Sequence, residues 1–142
     1  MENFKKGVEK LKKFLKRQDF VRIAYIFGSA AKGTAGPLSD VDLAFYLDER
    51  LSKKQMSDKL MFLINKISDI LNTDNFDVVI MNDTDLLFSF NIVKHGKVLD
   101  SKDEHFRVMF ETDVMSRFLD RDYYDTMYVR KDFERIAKEG IL

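Results

Sequence analysis

A β-branched and aromatic run, Val21-Arg22-Ile23-Ala24-Tyr25-Ile26-Phe27, breaks off at Gly28-Ser29, and ten residues later Asp40-Val41-Asp42 opens a second apolar run. The first run reads as a strand ending in a turn. Residues 30–38 are small and loop-like, broken by Gly33, Gly36 and Pro37. The second run reads as a strand from about Asp40 to Leu47. Side chains alternate along a strand, so Asp40 and Asp42 point the same way, roughly 6 to 7 Å apart at the backbone. Two such carboxylates repel each other, and a hard divalent cation removes that cost. Mg²⁺ in particular is held by one or two carboxylates together with substrate phosphates.

The turn complements this. Gly28 lets a phosphate approach the main chain, and Ser29 adds a hydroxyl. A helical turn beginning at Ser29 would aim amides and a dipole at phosphate oxygens. Lys32, one short turn further on, supplies a point charge to a triphosphate. Taken singly, Gly-Ser after a strand is a common turn and Asp-x-Asp is frequent on protein surfaces. In strand–turn–loop–strand order they point to nucleotide chemistry. Val41, Leu43, Phe45 and Leu47 are apolar, so Asp40 and Asp42 interrupt what reads as a buried strand, where unpartnered carboxylates are costly.

A third carboxylate has similar standing. Asp77 is the one charge inside Phe76-Asp77-Val78-Val79-Ile80-Met81, which reads as a buried third strand. It fits a third metal ligand or a general base for an attacking hydroxyl. The alternative is an Asp at a strand edge that caps a turn with Asn75. Asp83 and Asp85 flank a helix start and read as caps.

The rest of the chain supplies helices. Phe4, Val8, Leu11, Phe14 and Leu15 recur at helical spacing, with lysines forming a solvated face. Ser52 and Gln55 form a capping box, after which Met56, Leu60, Leu63, Ile64, Ile67, Ile70 and Leu71 trace one face of a long helix. A helix from about Thr84 covers Leu86, Leu87, Phe90 and Val93 and stops at His95-Gly96; Lys97-Val98-Leu99 adds a short strand. From Lys102 to Ile136 the chain reads as helical, with a break near Asp122. His95 and His105 read as structural. The expected fold is α/β (α+β), a small mixed sheet flanked by helices. Residues 1–142 are expected to form a single domain whose C-terminal region from about 102 is helical.

Composition narrows the function. The 24 basic and 24 acidic residues cancel, so a strongly basic nucleic-acid binder is not the default. Charge is nevertheless uneven: residues 1–22 hold eight Lys/Arg against three Asp/Glu, and residues 68–85 hold five Asp and no Lys or Arg. Without Cys there is no thiolate nucleophile or Cys-ligated metal. No apolar run approaches a membrane span and the Lys-rich N-terminus is no secretory signal, so the expected location is cytoplasmic.

Gly28-Ser29, ten residues, then Asp40-x-Asp42 resembles the signature of the DNA polymerase β-like nucleotidyltransferase superfamily. The short chain looks most like its minimal members, the MNT antitoxins encoded beside HEPN-domain ribonuclease toxins. The resemblance implies a Mg²⁺-dependent nucleotidyltransferase using ATP. Gly28 and Ser29 would hold the triphosphate, with Lys32 as the basic residue. Asp40, Asp42 and Asp77 would be the catalytic, metal-binding carboxylates. Ala30 departs from a frequent Arg. Such proteins move AMP onto a tyrosine of the HEPN toxin and silence it. Larger superfamily members carry an acceptor domain for which this chain has no room, which implies a folded partner as acceptor. Arg121-Asp122-Tyr123-Tyr124-Asp125-Thr126-Met127-Tyr128 carries residue types enriched at interfaces, or else packs on the core. Other readings are transfer to a small molecule such as an aminoglycoside or to an RNA 3′ end, and a non-catalytic antitoxin that occludes its toxin.

Overall fold

The computed structural model describes the backbone of residues 2–28 and 41–139, and the side chains of 4–28 and 41–121. The order is α1 (Glu2–Lys16), β1 (Val21–Phe27), β2 (Val41–Leu47), α2 (Lys53–Leu71), β3 (Phe76–Ile80), a 3-10 turn (Met81–Asp83), α3 (Leu86–His95), β4 (Lys97–Ser101) and α4 (Glu104–Glu139). The four strands form one mixed sheet in the order β3-β2-β1-β4. β1 is antiparallel to both β2 and β4, whereas β2 and β3 are parallel and joined by α2.

Helices cover both faces of the sheet. On one side, Leu11 and Leu15 of α1 and Leu63 and Ile67 of α2 bury against Ala24, Ile26, Leu43 and Phe45. On the other, Ile23, Tyr25 and Ala44 lie beneath Ile92 of α3, with Phe106 and Phe110 of α4 packed against them. The mixed α/β architecture expected from the sequence is therefore the one observed.

The helix ends follow local chemistry. Gln55 N donates to Ser52 Oγ at 3.1 Å while Ser52 N donates to Gln55 Oε1 at 2.8 Å, completing the capping box. Asp85 caps α3, accepting from Phe88 N at 2.8 Å. At the far end of α3, a Cβ on Gly96 would lie 2.5 Å from Ile92 O and 3.3 Å from Ile26 O, so only glycine lets the chain turn this tightly into β4.

Two expectations need correction. β3 is an edge strand, not a buried one: its apolar residues are only half-buried and Asp77 is exposed. The helix expected to break near Asp122 runs unbroken as α4 over 36 residues, about 54 Å at the usual rise. Residues 97–139 contain neither Gly nor Pro, so nothing in them forces a break. Among the described residues no helix is long and apolar enough to cross a membrane.

Candidate nucleotidyl-transfer site

The site is built where β1 ends and β2 and β3 begin. Phe27, the last residue of β1, pairs with Asp42 in β2, and Asp42 pairs in turn with Asp77 in β3. Registered neighbours in a sheet share a face and stand about 4.8 Å apart, so Phe27, Asp42 and Asp77 form a row across three strands. The face is fixed by the apolar residues: Val41, Leu43 and Phe45 pair with Phe76, Val78 and Ile80 and pack toward α1 and α2. The two aspartates point to the opposite layer, toward α3 and α4.

This geometry revises the reason for noticing them. Asp42 alternates with a buried face and does not interrupt it; it is half-buried, and Asp77 is exposed. Burial therefore does not by itself demand a partner for Asp77. What marks the pair is their register, which holds two like charges side by side.

Gly28 closes the row. Its φ is +73°, a left-handed conformation costly for any residue with a Cβ. A Cβ there would also overlap Asp42 Oδ2 and lie 3.4 Å from Asp42 Cγ. Glycine is thus required twice, by the turn and by the carboxylate lying against it. Beside it, the Phe27 ring meets Phe88 of α3 edge-on, with centroids 5.9 Å apart, which pins α3 next to the site.

A second row of polar contacts ties this face to α4. Tyr25, fully buried, donates from its hydroxyl to Glu111 Oε1 at 2.9 Å. Arg107 donates from Nη1 to both Glu111 oxygens at 3.1 Å. Burial, then the Glu111 carboxylate, push the Tyr25 phenol far above its ordinary range.

Ser29, Lys32 and Asp40 lie outside the described residues, as does Ala30, so of the expected site residues the structure brings together Gly28, Asp42 and Asp77. The side chains of Tyr123, Tyr124, Met127 and Tyr128 also lie outside them. Among the described residues no three metal-ligating side chains converge. The Asp42 carboxylate offers hard oxygen donors of the kind Mg²⁺ takes together with water and phosphate ligands, and Asp77 beside it stands open to water.

One structural residue escaped the sequence reading. Asn82, in the 3-10 turn after β3, accepts from Leu47 N at 2.9 Å and donates from Nδ2 to Leu47 O at 2.8 Å. Its amide thus extends the β2–β3 pairing, which ends at Phe45 and Ile80, two residues further. In sequence it is one more polar residue between a strand and a helix cap, with nothing to distinguish it.

A small mixed sheet with helices on both faces, a glycine turn at the end of β1 and registered carboxylates at the start of β2 and β3 is a nucleotidyltransferase arrangement. Residues 9–105 match the family described as Polymerase beta, Nucleotidyltransferase, and the chain belongs to that family. No curated protein matches it in sequence. Among solved structures, a toxin–antitoxin crystallised with AMP-PNP is 20% identical at a TM-score of 0.65, covering 87% of this chain and 96% of that one. The toxin–antitoxin MntA-HepT is 18% identical at a TM-score of 0.61, covering 88% and 95%. A tri-AMPylated Shewanella oneidensis HEPN toxin in complex with an MNT antitoxin gives 17% identity and a TM-score of 0.60, covering 88% and 94%. At these identities the likeness establishes a shared fold.

Proposed function

We propose that this chain is an MNT-type antitoxin of the cytoplasm that transfers AMP from ATP to a tyrosine of a HEPN-type toxin. The observation that carries the reading is the row Gly28–Asp42–Asp77, which sets two carboxylates on one face beside a left-handed glycine turn at the end of β1. Family membership and the shared fold of solved toxin–antitoxin complexes, one with AMP-PNP and one with an AMPylated toxin, support it.

The tyrosine oxygen attacks the α-phosphorus of ATP. A new O–P bond forms, the bond from that phosphorus to the bridging oxygen breaks, and pyrophosphate leaves with the electron pair. Asp77, exposed at the sheet edge, takes the tyrosine proton. Asp42 and Asp40 would hold a Mg²⁺, which would supply Lewis-acid stabilisation of the charge on the phosphates. Gly28 and Ser29 would bind the triphosphate, and Lys32 would supply a positive charge to it. Docking of the partner supplies orientation, which counts for much of the barrier in such reactions.

The test is a transfer assay with the purified chain, ATP labelled at the α-phosphate, Mg²⁺ and the HEPN-type protein encoded beside it. Label should appear on the partner and depend on Mg²⁺. Label on a free aminoglycoside or on RNA, with none on the partner, would overturn the assignment of the acceptor.

A further inference from the structure

A cluster of four cations lies on the layer away from the carboxylates. α1 and α2 pack closely near Gly7, where an added Cβ would meet Leu71 Cδ2 at 3.2 Å. Further along, a groove of about 500 Å³ opens between them. Lys10 and Lys13 of α1, Arg17 just beyond its end and Lys66 of α2 line it, around Phe14 and Phe62. Among the described residues no Asp or Glu lines it.

Three observations make this groove more than a solvated face. First, the chain is neutral overall, so four cations on one groove without an acid is a local excess. Second, several cations elsewhere are paired: Lys12 with Glu9, Arg22 with Glu49, Arg50 with Asp48, Lys102 with Asp100, Arg107 with Glu104 and Glu111, and Arg117 with Asp113. Among the described residues, none of the four groove cations has a carboxylate partner within ion-pair distance. Third, the floor is aromatic and open. Phe62 is 38% exposed, and Phe14 lies 6.2 Å from it, centroid to centroid.

We propose that the α1–α2 groove binds single-stranded nucleic acid, with phosphates along Lys10, Lys13, Arg17 and Lys66 and a base against Phe62. Backbone-tracking cations combined with an exposed ring are the recurring design of such sites. An acidic amphipathic helix fits less well, because it needs anchors over several helical turns and this floor offers two rings in one place. The proposal does not depend on the transfer reaction: the groove packs on the sheet face opposite Asp42 and Asp77 and leaves the acceptor of AMP unchanged.

Fluorescence polarisation with the full chain and a labelled oligouridylate of about 12 nucleotides tests it, within the site sizes known for such grooves. An oligothymidylate of equal length separates RNA from DNA. The double variant Lys10→Glu/Lys66→Glu should weaken binding at least ~tenfold. Lys53→Glu/Lys54→Glu, an equal charge change on exposed residues of α2 outside the groove, should leave it within about threefold. Phe62→Ala should weaken it by about tenfold, the size of a lost base–ring stack, with circular dichroism checking that the variant is folded. Binding should also fall with salt, with a log–log slope near −0.7 for each phosphate contact. Absent binding, equal loss in both charge variants, or displacement of the oligonucleotide by oligoglutamate at comparable affinity would overturn the proposal.

Discussion

Gly28 and Asp42 share one space across the β1–β2 pair: the position a Gly28 side chain would fill is taken by the Asp42 carboxylate. The turn at +73° and the carboxylate's location are therefore one feature. Gly28→Ala should cost about 1–2 kcal/mol in stability from the left-handed backbone alone. It should lower transfer further by displacing Asp42, since a shift of about 1 Å at a reacting centre can cost ~100-fold. Chemical denaturation and the transfer assay on the same preparation separate the two effects. Wild-type activity in a folded Gly28→Ala protein would show that the carboxylate need not stand there.

Asp42→Asn and Asp77→Asn keep size and shape while removing charge. Each should reduce transfer by about a hundredfold or more, the scale of losing one preorganised electrostatic group or a general base. Melting temperatures should stay near wild type. A normal rate in Asp77→Asn alone would reduce that residue to an edge-strand surface position.

Tyr25 and Glu111 link the sheet to α4 behind the site. Tyr25→Phe should cost about 1.5–3 kcal/mol, the range for hydrogen bonds to charged groups. The pH dependence follows from the raised phenol. In the unfolded chain Tyr25 ionises near its ordinary value of about 10, whereas in the fold it stays protonated well above that. Its contribution is present in full below pH 10 and is lost as pH rises beyond it. Tyr46 is raised as well, by burial and Glu49, and adds a slope of the same sign. Stability measured between about pH 9 and pH 11 should thus decline, and decline less steeply in Tyr25→Phe.

Asn82 offers a test away from chemistry. Asn82→Ala leaves Leu47 N and O without their amide partner at a half-buried position, which should cost about 1–3 kcal/mol. Transfer per folded molecule should be unchanged. A urea midpoint equal to wild type would mean that water replaces the amide fully.

How much of this was legible beforehand depended on the range of the forces involved. The caps at Ser52 and Asp85 were readable because capping is local, a matter of residues three apart. The face of α1 was readable because Phe4, Val8, Leu11 and Leu15 repeat at helical spacing. Asp42 and Asp77 were both visible as charges in apolar runs, but their pairing depends on the parallel crossover through α2, which brings together residues 35 apart in sequence. The same crossover leaves β3 at the sheet edge, so a run that reads as buried is half-exposed. Asn82 was invisible for a related reason: its partner, Leu47, is likewise 35 residues away.

Transfer of AMP to a protein partner is read directly by intact-mass spectrometry of that partner. The neighbouring HEPN-type protein is co-expressed with the wild-type chain or with Asp42→Asn, and its mass is read after purification. Increments of whole AMP units are expected with the wild type and none with Asp42→Asn, although the complex still forms. A partner bound to the wild-type chain and inhibited, yet unmodified in mass, would contradict it and leave occlusion as the mode of action.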